Sequence, residues 1–472
     1  MHNNPDIPHL SLTPLIHRWI AELIAQQHLL FSAIEQYESP INIHCIKPFE
    51  ENIAAYQAVF DAYALRHKIF FARKANKCMA FPLAAARLRE GADTASYREL
   101  KQCLDAGIAS KDLILTAAVK NRKLLELAVD HQVTVVLDNL DEWHLLKEIV
   151  EKKQRKININ IRLGGFTFEG KTLATRFGFS LQEAFACINH IHKEESWVTY
   201  SGLHFHLNGY AVAQRTAAIE QALQLIDSLA AQGIPTDSLD IGGGILMNYL
   251  ASEQEWADFN RELKLAVLEK REPITYQNDP LGIVKVNDTL YGEPTVYPYF
   301  SPLSKDAILK AILTTTSSAY NTTIFKLLAD RKLELRMEPG RSLLDQCGIT
   351  VARVAFRKKD AEGNWLFGLE MNRTQLRSSS ADFLLDPIHI PQIKESAGLA
   401  SFEGYLVGAY CLEQELILKR KLLFSQFPQV GDLVIFPNTA GYMMHFFESE
   451  AHLFELAKNL MYENNLLHLN AD

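Results

Sequence analysis

From about residue 68, short apolar runs alternate with longer segments whose apolar residues recur at helical spacing. The runs KIFFARKA, ADTAS, LILTAA, TVVLDN, ININIRL, TYSGLHFHL, SLDIGGG and LELRMEP predict strands. Between several of them, YRELKQCLDAG, KNRKLLELAVDHQ, LDEWHLLKEIVEKKQ, LQEAFACINHIHKEE and QRTAAIEQALQLIDSLAAQG predict amphipathic helices. Strands joined through helices pair in parallel, because each crossover takes a dozen or more residues. Eight such runs match the number that closes a (β/α)8 TIM-type barrel, with an open doubly wound sheet as the rival arrangement.

The rhythm differs at both ends. Residues 1–38 read as a helical preface, carried by LIHRWIAELIAQQHLLFSAIEQY. After about residue 346 the helical crossovers stop, and ITVARVAFRKK, NWLFGLEMN, ASFEGYLVGAY, ELILKRKLLF and GDLVIFPN predict a mainly antiparallel β domain. SPINIHCI, residues 39–46, is placed to lend that domain a strand. The expected division is therefore 1–45 for the helical extension and leading strand, 46–345 for the barrel, and 346–472 for the C-terminal β domain. Within the long connection from Gly244 to Leu333, the Pro-, Gly-, Asn- and Tyr-rich stretch at about 280–303 reads as an inserted excursion.

Composition narrows the class. A chain of 472 residues with 48% hydrophobic and 22% charged residues supports a large core and two domains. The net charge of −8 is mild and the basic residues are scattered, so no nucleic-acid partner is expected. Six cysteines in no CxxC or Cys/His cluster suggest neither a disulfide framework nor a metal site. The N-terminal residues lack the pattern of a secretory signal, and no run approaches the ~20 apolar residues that span a bilayer. A soluble, cytoplasmic protein without membrane partners is expected.

Candidate chemistry gathers where the strands end. Lys74 ends the first strand, His206 follows GLHF, Gly242, Gly243 and Gly244 end SLDIGGG, and Glu338, Pro339, Gly340 and Arg341 close the last. Taken singly these are a solvated lysine, a structural histidine and a turn; their shared place at one barrel rim is what carries information. Pyridoxal phosphate unites them. An aldehyde cofactor needs an amine to hold it as a Schiff base, the role of Lys74. A phosphate dianion needs close backbone N–H groups and a cation, which the glycines and Arg341 offer. The pyridine nitrogen needs a carboxylate to keep its proton, and Glu338 is the candidate. His206 suits a flat partner for the ring.

The same residues resemble the fold-type III pyridoxal phosphate decarboxylases, the group of diaminopimelate, ornithine and arginine decarboxylases. RKAN resembles that family's VKAN, GADTASYREL its GxDxxSxxEL, TRFGF its SKFGI, GLHFHLNG its GLHxHIGS and LDIGGGI its LDIGGGF; EPGR is identical, VGAYC resembles VGPxC, and TAGYM is similar to MGAYG. The series runs in order over roughly residues 39–445. The resemblance implies an alanine-racemase-like barrel with pyridoxal 5'-phosphate as cofactor. It implies that Lys74 carries the Schiff base, His206 stacks on the ring, Glu338 pairs with the pyridinium, and Gly243, Gly244, Gly340 and Arg341 serve the phosphate. It further implies that Tyr442 reaches the phosphate and that Cys411 enters the site from a second subunit to return a proton to Cα. Asp93, Ser96 and Glu99 would line the lysine, with Arg162 and Arg176 as supporting charges. The implied reaction is decarboxylation of an α-amino acid to the amine and CO2 by a homodimer with shared sites.

Two departures bear on substrate. The family's HIGS becomes His206-Leu207-Asn208-Gly209, and the acidic residue that follows the cysteine becomes Leu412, in CLEQE. Glu413 or Glu415 stands in for that acid, and the Arg377-Ser378-Ser379-Ser380 run suits a substrate with extra carboxylates. Glu413, Arg377 and Asp93 are the substrate-side candidates. The expectation is a specialised decarboxylase of a diamino acid or a carboxylate-rich amino-acid conjugate, with siderophore-type biosynthesis as one setting. The alternatives are a fold-type III amino-acid racemase, against which Glu338 and Cys411 argue, and a non-catalytic regulatory relative, against which the retained lysine and phosphate groups argue.

Overall fold

The computed structural model describes residues 10–378, 383–393 and 401–470. They form two compact units, one of Met1–Pro48, Met247–Pro302 and Leu344–Asp472, the other of Phe49–Leu246 and Leu303–Leu343.

The second unit is built on a closed barrel of parallel strands: β1 (His67–Ala72), β2 (Gly91–Thr94), β3 (Leu113–Leu115), β4 (Thr134–Leu137), β5 (Ile157–Leu163), β6 (Val198–Phe205), β7 (Ser238–Asp240) and β8 (Glu334–Met337). Each of the eight predicted runs overlaps one of them, with His67, Gly91 and Val198 each starting a strand one residue before its run, and β8 pairs with β1 to close the ring. The open sheet is thereby excluded. Burial is almost continuous along the strands, as expected where side chains fill the barrel on one face and helices cover the other. The strands stop earlier than the apolar runs suggest. KIFFARKA leaves strand geometry after Ala72 and turns through a short 3-10 helix, Arg73–Ala75, and SLDIGGG leaves it at Asp240 as Gly242 takes a φ of +66°.

The expected helices follow their strands, and their starts are written in the sequence. Ser96, Asn121, Asn139 and Ser180 each accept a backbone N–H three residues on, capping the helices Tyr97–Asp105, Arg122–His131, Leu140–Lys153 and Leu181–Glu194. These caps fix where each loop ends, and therefore how far each rim segment extends.

The first unit centres on a nine-stranded sheet. Ile41–His44 lies between Gly348–Lys359, to which it is antiparallel, and Lys458–Glu463, to which it is parallel. Most other pairings are antiparallel; Trp365–Leu369 with Phe402–Val407 is a second parallel one. The helical preface is two helices, Arg18–Ala25 and Gln27–Tyr37, broken at Gln26, and Trp19, Ile20, Leu23, Leu30 and Ile34 pack on Ile41, Ile43, Ile349, Val351 and Leu460. Only Leu422–Phe424 of ELILKRKLLF becomes strand, because Arg420 turns its guanidinium into the core to meet the Leu384 and Leu10 carbonyls and Asp386. The stretch at 280–303 holds a small hairpin, Val284–Val286 with Thr289–Tyr291. Among the described residues no helix is long and apolar enough to cross a membrane.

Candidate active site

Lys74 sits in the turn that follows β1, and its Nζ lies 3.2 Å from Asp93 Oδ2 at the end of β2. The lysine side chain is 35% exposed and the aspartate 0%, so the amine stands at a mouth with its partner inside. Thr116, just past β3, donates its hydroxyl to the other Asp93 oxygen. Burial pushes the Asp93 carboxyl above the usual range, against the pull of Lys74.

Glu338 follows β8 and is buried. His204 Nε2 on β6 approaches its Oε1 to 3.2 Å but off the angle of a hydrogen bond, so Oε1 has no hydrogen-bond partner. Burial raises the Glu338 carboxyl while Lys74 and Arg162 pull it down.

The glycine loop joins these strand ends. Gly242 donates its amide to Asp240 Oδ1 at 2.8 Å, and Gly243 donates to His206 Nδ1 at 3.2 Å, which fixes the imidazole. A Cβ on Gly243 would stand 2.5 Å from the Glu338 carbonyl oxygen, and one on Gly242 would stand 2.5 Å from that of Phe205. Only glycine permits so close an approach. Burial, with the charges of Lys74, Arg215 and Arg162, holds the His206 imidazole in its neutral form. Gly340 is buried beside Glu338, and Arg341 is half-buried.

Arg215 braces this loop from outside it and went unnoticed in the sequence. From the helix Val212–Ala230 it donates to the carbonyls of Ile241 at 2.6 Å and Gly244 at 3.2 Å. Burial lowers its pKa to about 10. An arginine inside an amphipathic repeat gives no sign that it will grip carbonyls from another loop. His204 and Asp240 were likewise read as parts of motifs, not as neighbours of Glu338.

The motif residues expected around the lysine divide by role. Ser96 caps the helix Tyr97–Asp105, and Glu99 Oε2 reaches back to the Ala95 amide at 2.7 Å, so both hold the helix start. Arg162 pairs with Asp138 at 3.5 Å, and the guanidinium carbons of Arg162 and Arg176 each lie 4.0 Å from the Phe177 ring centroid. Here TRFGF is held against the end of β5, with Phe179 donating to the Arg162 carbonyl.

The remaining candidates belong to the first unit. Cys411 and Glu413 are exposed. Arg377 and Glu413 line one cavity of about 290 Å³ together with Tyr276, Arg373 and Lys419. Glu415 is committed elsewhere, accepting the Arg373 amide at 2.8 Å. Ser379 and Ser380 lie outside the described residues. Tyr442 has a φ of +72°, uncommon for a bulky side chain.

The barrel residues fit pyridoxal 5'-phosphate on three counts: an amine at the mouth, a buried carboxylate oxygen without a partner, and a loop that no Cβ can enter. Residues 47–278 match the family model described as the pyridoxal-binding domain of pyridoxal-dependent decarboxylases. Among curated proteins the chain is 29% identical over 446 residues to the uncharacterized protein y4yA of Sinorhizobium fredii, covering 94% of this chain and 92% of that one. It is 22% identical to diaminopimelate decarboxylase of Neisseria meningitidis, over 86% of each chain. Among solved structures, diaminopimelate decarboxylase of Helicobacter pylori complexed with L-lysine superposes with a TM-score of 0.69 at 17% identity, covering 93% of this chain and 95% of that one.

Proposed function

The chain belongs to the fold-type III pyridoxal phosphate-dependent decarboxylases, and from that premise we propose that it removes CO2 from an α-amino acid bearing a distal amine or extra carboxylates, as a cytoplasmic homodimer. The observation that carries the reading is the shared rim, where Lys74, His206 and the orphaned oxygen of Glu338 come from separate strand ends.

When bound, the cofactor supplies an aldehyde that condenses with amines and a ring that accepts electrons. The protein's part is positioning and charge. Lys74 offers the amine, with Asp93 beside it to take or return a proton at Nζ. Glu338 Oε1, which has no hydrogen-bond partner, would hold the proton on the ring nitrogen, and a neutral His206, fixed by the Gly243 amide, would serve as the flat partner of the ring without adding charge. The Gly242 and Gly243 amides are committed to Asp240 and His206, so Gly243 is not the phosphate donor the motif implied, and Gly244, Gly340 and Arg341 would hold the phosphate. The partner subunit's Cys411 returns the proton to Cα. Arg377 and Glu413, which share a cavity, take the substrate's distal carboxylate and amine respectively.

The substrate is proposed to differ from diaminopimelate and ornithine. Leu412 stands where those enzymes place an acid, and the 29% identical relative has no assigned activity. Purified protein is expected to be yellow, borohydride to fix the cofactor to Lys74 by peptide mass, and Lys74→Ala to lose both the visible absorbance and CO2 release. An unchanged spectrum in that variant would refute the lysine assignment. A CO2-release screen over amino acids and citryl-diamino acid conjugates tests the substrate class; ordinary turnover of diaminopimelate or ornithine would overturn the specialised reading.

A further inference from the structure

Beneath the rim, His204 on β6, Asp240 at the end of β7 and Glu338 just past β8 bring polar atoms within 4.8 Å of one another. Their exposures are 1%, 0% and 3%. Four of their atoms lack a hydrogen-bond partner: Asp240 Oδ2, Glu338 Oε1, and both ring nitrogens of His204. Two carboxyl groups so close in a dry site do not both ionise, so the pair holds a proton between them.

The surroundings decide which one holds it. Glu338 faces the cations Lys74 and Arg162. Asp240 faces the anions Glu338 and Asp93, with Arg336 as its cation and the Gly242 amide as its donor. His204 faces Arg162, Lys74 and Lys120 against Asp93, and burial keeps its imidazole neutral. A proton on Asp240 gives the cluster two donors, the acid O–H and the imidazole N–H, and two acceptors, the bare imidazole nitrogen and Glu338 Oε1. That count gives each of the four orphaned atoms a donor or acceptor role, and the second lone pair of Glu338 Oε1 stays open to the ring nitrogen.

We infer that Asp240 is a protonated carboxylic acid at neutral pH and a positioning residue, whose hydrogen bond into the His204–Glu338 pair keeps Glu338 the anion of the cluster. The inference rests on the reading of Glu338 as partner of the cofactor's ring nitrogen, and it assigns the chain a proton-sharing triad behind that glutamate. Ionising Asp240 would set a second negative charge beside Glu338 and drive the proton onto it without touching the cofactor directly, whereas the neutral amide of Asp240→Asn leaves Glu338 the anion facing Lys74 and Arg162.

Infrared spectroscopy of the full-length protein, with cofactor and after its removal, tests this at about neutral pH. A carbonyl band of a protonated carboxylic acid is expected, shifted by a heavy-carbon label in the aspartate side-chain carboxyl and lost in Asp240→Asn. Because Asp93 is also buried, Asp93→Asn is the companion variant; there the band should persist, and this arm decides the matter if Asp240→Asn does not fold. Absence of the band, no response to the aspartate label, persistence in Asp240→Asn or loss in Asp93→Asn would each overturn the inference. Failure of the cofactor reading is seen separately, as failure of borohydride to label Lys74.

Discussion

Arg73 places a guanidinium, 2% exposed, directly before the lysine, where the family pattern VKAN has valine. It donates to the Lys77 carbonyl at 2.7 Å and to Gln102 Oε1 at 3.2 Å, and meets the sulfurs of Met79 and Cys103. These hydrogen-bond acceptors are all neutral, so the residue ties the Arg73–Ala75 turn to the helix Tyr97–Asp105 without being neutralised by them. Groups that orient metal ligands from behind cost on the order of 10–100-fold in activity or affinity when lost, and Arg73 braces a reacting lysine in the same manner. Arg73→Val is expected to lower both turnover and cofactor bound per subunit by about that much, with Arg73→Lys restoring only part because an ammonium lacks the planar fork. Cofactor stoichiometry and kcat measured together check this; full retention of both in Arg73→Val would count against it. The sequence marked Lys74 but not the support behind it, because the acceptors that make Arg73 legible sit partly on the helix Tyr97–Asp105, beyond the next strand.

Elements carry their own tests. Loss of the Ser96 cap in Ser96→Ala should cost about 1 kcal/mol and lower the melting temperature. Its signature, S-x-x-E, was visible but was taken as lining for the lysine, since capping and function use the same residue types. At the foot of β1, His67 stacks on Phe60 and lies 3.4 Å from Glu90. Burial pushes His67 down, but the hydrogen bond and charge of Glu90 outweigh it, and the net shift is upward. A histidine raised above its unfolded value of ~6.5 contributes stability that is complete below that pH and is lost as pH rises through the folded value. The deficit of His67→Gln against the parent should therefore be largest in mild acid and shrink above neutrality in denaturation midpoints; a gap independent of pH would contradict it. The hairpin of Lys458–Glu463 and Leu466–Leu469 was missed because its turn is Asn464-Asn465, which takes φ of +52° and +61° as a two-residue hairpin turn requires but lacks the glycine that usually marks one. A short strand before a two-residue turn leaves too few positions for alternation to register.

For the whole molecule, the proposed sharing of sites between subunits has a direct consequence. Neither Lys74→Ala nor Cys411→Ala homodimers should turn over at parental rate, yet after subunit exchange roughly a quarter of parental sites should be rebuilt, since half the dimers are mixed and each mixed dimer has one intact site. Recovery of CO2 release in the mixture checks this, alongside molar mass by light scattering; no recovery despite exchange would argue that each subunit works alone. The eight strand runs and the closing barrel were readable because periodicity is local and survives in any context that covers both strand faces. By itself the sequence determined the order of strands and helices, the glycines that let strand ends crowd together, and the kinds of chemistry at the rim. Only the tertiary structure decided which groups meet and in what state of charge: Lys74 with Asp93, Gly243 with His206, and Asp240, His204 and Glu338 as one cluster. Partners in a barrel come from strands far apart in the chain, and ionisation depends on the water and charge that packing leaves around each group, neither of which a local pattern encodes.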